Sequence, residues 1–330
     1  MKGLQLCRAY FESFGLPMIR KLERQYPDLK GQFAAGLAGQ GSECLGFDDG
    51  LSADHDFGPS FCLWLPQELY REYGRVCQEA YERLPKEFSG YPARQTTAFG
   101  QNRVGVLEIG DFYYRLIGRE DAPKSNAEWM WIAESRLSQA VSGEVFLDEA
   151  GQFSAVREQL LSFYPEDVRK KKIAARAAAM AQSGQYNYGR LCRRGEWTGA
   201  LLSLQEFVKN ACSMVHLLNK RYTPFYKWMH RSLADLPVLP EVYGLLDQLT
   251  DDCDSRNAWR TAKEEDFLLG IINTKDARAV LIETICQLVI RELKNQGLSD
   301  AEDLYLETHA LHIMGKIQDP AIASLQLLEG

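Results

Sequence analysis

About a dozen residues separate Gly41-Ser42 from the alternating acids Asp54 and Asp56. In an extended strand, residues two apart point to the same side, so these carboxylates would converge while His55 turns away. Paired carboxylate oxygens suit a hard cation such as magnesium, which is held by one or two carboxylates together with substrate phosphates. Gly41 would let backbone amides approach a phosphate, and the Ser42 hydroxyl would add a hydrogen bond. Together these residues read as a nucleotide site. A third acid would complete the metal shell or take the proton of an acceptor hydroxyl. Glu108, polar between Leu107 and Ile109 in an apolar run, is the first candidate and Asp111 the fallback. The bland alternative makes Asp48, Asp49, Asp54 and Asp56 a solvated acidic loop and Glu108 a water-facing edge residue. The order of strand, glycine-serine turn, Asp-x-Asp and later strand acid favours the site.

The elements that must position these residues are visible as patterns. Ala9 to Tyr26 has helical spacing and stops at Pro27. Phe33 to Leu37 reads as a strand entering the Gly39-Gln40-Gly41-Ser42 turn. Gly46 to Ala53 reads as a loop, and Asp54 to Phe57 as extended chain. Gly58-Pro59 interrupts it at an edge or bulge, before an apolar strand from Ser60 to Leu65. Gln67 to Leu84 is an amphipathic helix. Val104 to Ile109 and then Asp111 to Leu116 follow as extended segments. Asn126 to Val141 is helical, and Glu144 to Phe153 reads as a hairpin around Glu149-Ala150-Gly151. Beyond Ala155 nearly every segment has helical period. The expectation is an α+β fold: residues 1–153 a small mixed sheet with flanking helices, residues 154–330 an all-helical domain.

Bulk properties limit the function classes. The chain has 330 residues, 45% hydrophobic and 25% charged, as in ordinary globular proteins. A net charge of −7 argues against broad nucleic-acid binding, although local basic clusters could grip a nucleotide. The start lacks a signal-peptide core, and no stretch reaches the length of a membrane span. Eight cysteines lie singly, with no CxxC pair, as expected of reduced thiols in a cytoplasmic protein.

The order of hydrophobic strand, Gly-Ser, Asp-x-Asp and distal strand acid resembles the DNA polymerase beta-type nucleotidyltransferases. Within that superfamily the arrangement is most similar to the minimal bacterial and antibiotic nucleotidyltransferases with a helical C-terminal domain. The string GSECLGFDDGLSADHDFGPSFCLWLP resembles an uncharacterised bacterial nucleotidyltransferase-like family, as do RLSQAVSGEVFLD, MAQSGQYNYGRLCRRGE and LLNKRYTPFYKWMHR. The resemblance implies that Gly41 and Ser42 bind nucleotide phosphates, Asp54 and Asp56 hold magnesium, and Glu108 is the third acid. It implies transfer of a nucleoside monophosphate, AMP from ATP first, to a hydroxyl of a small molecule or protein. His55 stands where the superfamily usually has an apolar residue, and the Gly58-Pro59 break is unusual. These departures motivate the alternative, an inactive fold that binds a nucleotide or partner. The acceptor stays open, and a homodimer is compatible with the sequence.

Two clusters in the helical half could serve a substrate. One is Gln182, Gln185, Tyr186, Asn187, Tyr188 and Arg190; the other is Asn219, Lys220, Arg221, Tyr222, Tyr226, Lys227 and Trp228. Lys227 is the candidate phosphate ligand. Against this, Tyr222, Phe225, Tyr226 and Trp228 have the spacing of core aromatics, and Arg169 to Lys172 reads as a solvated helix face. His309 and His312 share a helix face without an evident third ligand, which favours packing. His216 reads as a buried, hydrogen-bonded residue.

Overall fold

A four-stranded mixed sheet organises the first part of the chain. The computed structural model describes residues 1–51, 57–94, 103–251, 255–268 and 271–330. They fall into two compact units: Met1–Pro123 with Ile132–Phe163, and Lys124–Trp131 with Tyr164–Gly330. The first unit thus runs ten residues past 153, and within it Phe153 stacks on Trp64 at 3.9 Å.

The strands are β1 (Ala34–Ala38), β2 (Cys62–Leu65), β3 (Gly105–Glu108) and β4 (Gly143–Asp148), in spatial order β3-β2-β1-β4. β1 is antiparallel to both neighbours, while β2 and β3 run parallel. A parallel pair needs a crossover, and the amphipathic helix Gln67–Glu82 lies in that connection. Every residue of β2 is buried, as expected when both faces of a strand are covered. Leu63 and Leu65 join Phe11, Ile19, Leu22 and Cys77 on one side. Trp64, on the other side, meets Phe112 and Phe153.

The helices of this unit depart from expectation in three places. The first helix starts earlier, as α1 (Gly3–Tyr10), and passes through a π-helical turn at Phe11–Gly15 into α2 (Leu16–Gln25). A short α3 (Ser42–Leu45) follows the glycine-serine turn, and Gln67–Glu82 is α4. The segment Asp111–Leu116 is not extended: it lies in α5 (Ile109–Ile117). Ile109, Phe112, Tyr113, Leu116 and Ile117 are its buried face, a helical period in residues that also favour strands. Nor is 144–153 a hairpin. The Asp148 carboxylate accepts from the Gly151 and Ser154 amides at 2.9 and 2.7 Å, turning the chain from β4 into a helix at Gln152–Leu161. Between α5 and β4 in the chain come α6 (Asn126–Met130), which belongs to the second unit, and α7 (Glu134–Val141), so Gln152–Leu161 is α8.

The second unit is built on α9 (Glu166–Met180), which continues through a π-helical stretch, Ala181–Tyr188, into α10 (Gly189–Arg194). In chain order there follow α11 (Trp197–Leu218), the short α12 (Tyr226–Met229), α13 (Glu241–Thr250), α14 (Ser255–Thr261), α15 (Ala277–Asn295), α16 (Leu306–Met314) and α17 (Pro320–Ala323), of which α11, α16 and α17 pack on α9. It is not wholly helical: β5 (Phe267–Leu268) and β6 (Ile272–Asn273) form a two-stranded antiparallel ribbon. The basic run on α9 is not a solvated face either. Arg169, Lys171 and Lys172 are buried, and Lys171 Nζ donates to the Gln326 and Leu327 carbonyls at 2.8 and 3.0 Å. Among the described residues no helix is long and apolar enough to cross a membrane.

Candidate functional site

The glycine-serine turn leaves the end of β1, and its backbone explains the residue types. Gly41 has φ 131°, a conformation that L side chains rarely adopt. A Cβ there would also sit 2.6 Å from Glu43 Oε2, so the carboxylate of Glu43 lies directly against the turn. Ser42 opens α3 and is partly exposed. The Cys44 thiol donates to the Gln40 carbonyl at 3.7 Å, tying α3 back to the turn.

Glu43 is buried and ion-paired. Arg94 Nη2 donates to Glu43 Oε1 at 2.8 Å, with the two side chains only 7% and 6% exposed. The other guanidinium nitrogen, Nη1, donates to Ser60 Oγ at 3.1 Å. Burial works against the charged form of Arg94, but the Glu43 charge and hydrogen bond outweigh it and raise its pKa. One side chain thus links the residue after the Gly41-Ser42 turn to the chain entering β2. Gly58 serves the same junction: its φ is 143°, and a Cβ would meet the Arg94 amide nitrogen at 2.8 Å. The Gly58-Pro59 break is therefore the close approach of two backbones.

The remaining acids of the loop are not equivalent. Asp48 is buried, not solvated, and accepts from the Gly3 amide at 2.8 Å at the start of α1. Lys2 adds bonds to the Gly46 carbonyl at 3.3 Å and to the Asp48 carbonyl. Asp49 is exposed. Asp54 and Asp56 lie outside the described residues.

Glu108 is not brought to the turn. Register places Gly105 and Gly36 both level with Cys62. From there β3 runs three residues to Glu108 while β1 runs two the opposite way to Ala38, a separation of about 16 Å along the strands. The Glu108 carboxylate caps α5, accepting from the Gly110 and Asp111 amides at 2.7 and 2.6 Å. Asp111, in the same first turn, pairs with Arg115 at 2.5 Å. The far end of α5 is the part that comes near the turn: the Phe112 and Leu116 side chains lie close to Gly39. Glu144, which pairs with Leu37 in β4, is a strand acid at the turn's end of the sheet, and it is bonded to Arg8.

In the second unit most of the polar clusters are structural. Tyr188 donates to Asp276 Oδ2 at 2.9 Å, and Gln185 bonds Glu283, the Leu304 carbonyl and the Leu306 amide. Lys227 is exposed on α12, its Nζ 5.0 Å from the Trp228 ring centre. Tyr222 is buried as a core aromatic, but Phe225 and Tyr226 are exposed, with ring centres 4.5 Å apart. His216 is buried between the Cys212 carbonyl and Ser232 Oγ, both at 2.7 Å. His309 is buried between Ser299 and the Asp303 carbonyl, whereas His312 faces Asp300, so the two make separate contacts. Among the described residues no group of three or more His, Cys, Asp or Glu side chains is arranged to hold a metal.

Arg94 is the residue that reading the sequence missed. It sits in the polar stretch SGYPARQ, which has no periodicity, and its partner is 51 positions away. A charged residue directly after a glycine-serine turn was the available signal, and it belongs to Glu43.

Comparison with known proteins gives limited relationships. Residues 129–229 match a domain of unknown function, DUF4037. No curated protein matches the chain significantly. Among solved structures, a nucleotidyltransferase-like protein from Exiguobacterium sibiricum 255-15 is similar at 11% identity and a TM-score of 0.33, with 89% of each chain covered. A likeness of that size is too distant to carry over a fold or an activity.

Proposed function

We propose that the chain is a magnesium-dependent nucleotidyltransferase that moves a nucleoside monophosphate, AMP from ATP in the first instance, to an acceptor hydroxyl of a small molecule or protein. The observation that carries this reading is the junction of β1 and β2. The Gly41-Ser42 turn leaves β1 where the chain following Asp54-His55-Asp56 enters β2, and Arg94 ties the two by bonding both Glu43 and Ser60.

In this reading the backbone of the Gly41 turn and the Ser42 hydroxyl receive triphosphate oxygens. Asp54 and Asp56 are oxygen donors two residues apart in sequence, a donor set that would fit a hard cation. A magnesium ion held by Asp54 and Asp56 would supply neutralisation of the charge on the triphosphate and on the departing pyrophosphate. The acceptor oxygen bonds to the α-phosphorus, the bond from that phosphorus to the β-bridging oxygen breaks, and the hydroxyl proton passes to a base or solvent. Glu108 is bonded to the Gly110 and Asp111 amides, and this reading does not assign the proton to it.

The test is formation of labelled product or pyrophosphate from ATP and candidate acceptors. Asp54→Ala and Asp56→Ala should each abolish magnesium-dependent transfer while the thermal transition is kept. Full activity in either variant would sink the proposal. One observation favours a second reading, a fold that binds nucleotide without catalysis: neither sequence-proposed third acid reaches the turn. Nucleotide binding indifferent to magnesium, with no product from any acceptor, would select it.

A further inference from the structure

We infer that the buried Glu43–Arg94 pair sets the charge of the Gly41-Ser42 turn: Arg94 cancels a carboxylate that lies against the turn's backbone and so makes the turn receptive to a phosphate-bearing ligand. This rests on the nucleotide reading above. Glu43 Oε2 lies within 2.6 Å of where a Gly41 Cβ would be, so the acid faces the very backbone that a phosphate would approach. A carboxylate is acceptor-only and anionic. Left alone and desolvated, it would repel a triphosphate strongly, since like charges at short range interact more in a protein than in water.

The arrangement around the pair fits a charge-setting role better than a stabilising one. A salt bridge this buried is a weak device for stability, because desolvation cancels much of its attraction. Arg94 is held by Glu43 on one nitrogen and Ser60 on the other, and it stays charged. The neighbouring Cys7, Cys44 and Cys62 thiols are all pushed up by burial and remain neutral, so they add no charge to the site. Asp48, the other buried acid of this loop, is engaged with Lys2 and the Gly3 amide. Arg94 is thus a positioning residue that acts through Glu43.

A charge cycle distinguishes this from simple scaffolding. Magnesium-ATP binding is measured by calorimetry on wild type, Arg94→Met, Glu43→Gln, Arg94→Lys and the Glu43→Gln/Arg94→Met double variant, with melting curves alongside. Arg94→Met, which exposes the turn to an uncancelled carboxylate, should bind about tenfold more weakly or worse. Glu43→Gln should bind at least as tightly as wild type, Arg94→Lys close to it, and the double variant should recover to within about threefold. A scaffold role predicts instead that Glu43→Gln weakens binding and that the double variant is no better than Arg94→Met. Either result overturns the inference while leaving nucleotide binding standing. If Arg94→Met fails to fold, Glu43→Gln and the double variant still decide the matter. A wild type that binds no nucleoside triphosphate overturns the nucleotide reading and this inference together.

Discussion

Residue by residue, the acids of the first unit divide by what their carboxylates already bond. Glu43 is held by Arg94, Asp48 by the first turn of α1, and Glu108 by the first turn of α5. The first two partners are 51 and 45 positions away and leave no trace in the spacing, whereas those of Glu108 are only two and three residues on. Glu108 stood out in the sequence as a polar residue in an apolar run. That signal was real, but it marked a helix cap: a side-chain oxygen that satisfies free amides at a helix start. Glu108→Ala should therefore cost about 1 kcal/mol of stability in urea unfolding and leave nucleotide affinity unchanged. Lost activity at wild-type stability would instead restore it as the third acid.

At the scale of elements, the parts nearest the proposed site were the most legible. β1, β2, β3 and α4 each follow an apolar run or a clear amphipathic period bounded by proline, glycine or a polar stretch. The misread segments share a physical cause. In IGDFYYRLI the apolar and aromatic residues suit a strand by type and a helix by spacing, and the Glu108 cap with the left-handed Gly118 at the other end decides for helix. Beyond Asp148 a helix again replaces the expected strand, because its carboxylate captures two amides past the turn. The Gly58-Pro59 break was visible as an anomaly, and its reason, the passage of the 92–94 backbone, was not. Gly58→Ala places a Cβ against that backbone at a φ hostile to side chains. It should destabilise the protein by about 2 kcal/mol or more, seen as a lower urea midpoint. An unchanged midpoint would show that the two backbones can separate at no cost.

For the molecule as a whole, the order of strands followed by helices gave the fold class, and the charge runs gave the charge distribution poorly. The basic run on α9 has the look of a solvated face, yet Lys171 is fully buried and bonded only to carbonyls among its described hydrogen bonds. Burial lowers its pKa to about 8, from an ordinary 10.5. Below pH 8 this lysine is charged in both folded and unfolded chains. Between about 8 and 10.5 the unfolded chain binds more proton, so stability contributed at this site rises with pH. The stability of wild type relative to Lys171→Met should climb across that window and stay flat below it, as measured by urea unfolding at stepped pH. A flat difference throughout would mean that the ammonium is not desolvated by the fold.

The decisive measurement is calorimetric titration of ATP, with and without magnesium, into wild type and Asp54→Ala/Asp56→Ala. Binding that requires magnesium and disappears in the double variant is the predicted result. Absence of binding by wild type to any nucleoside triphosphate, or undiminished binding by the folded double variant, would contradict it.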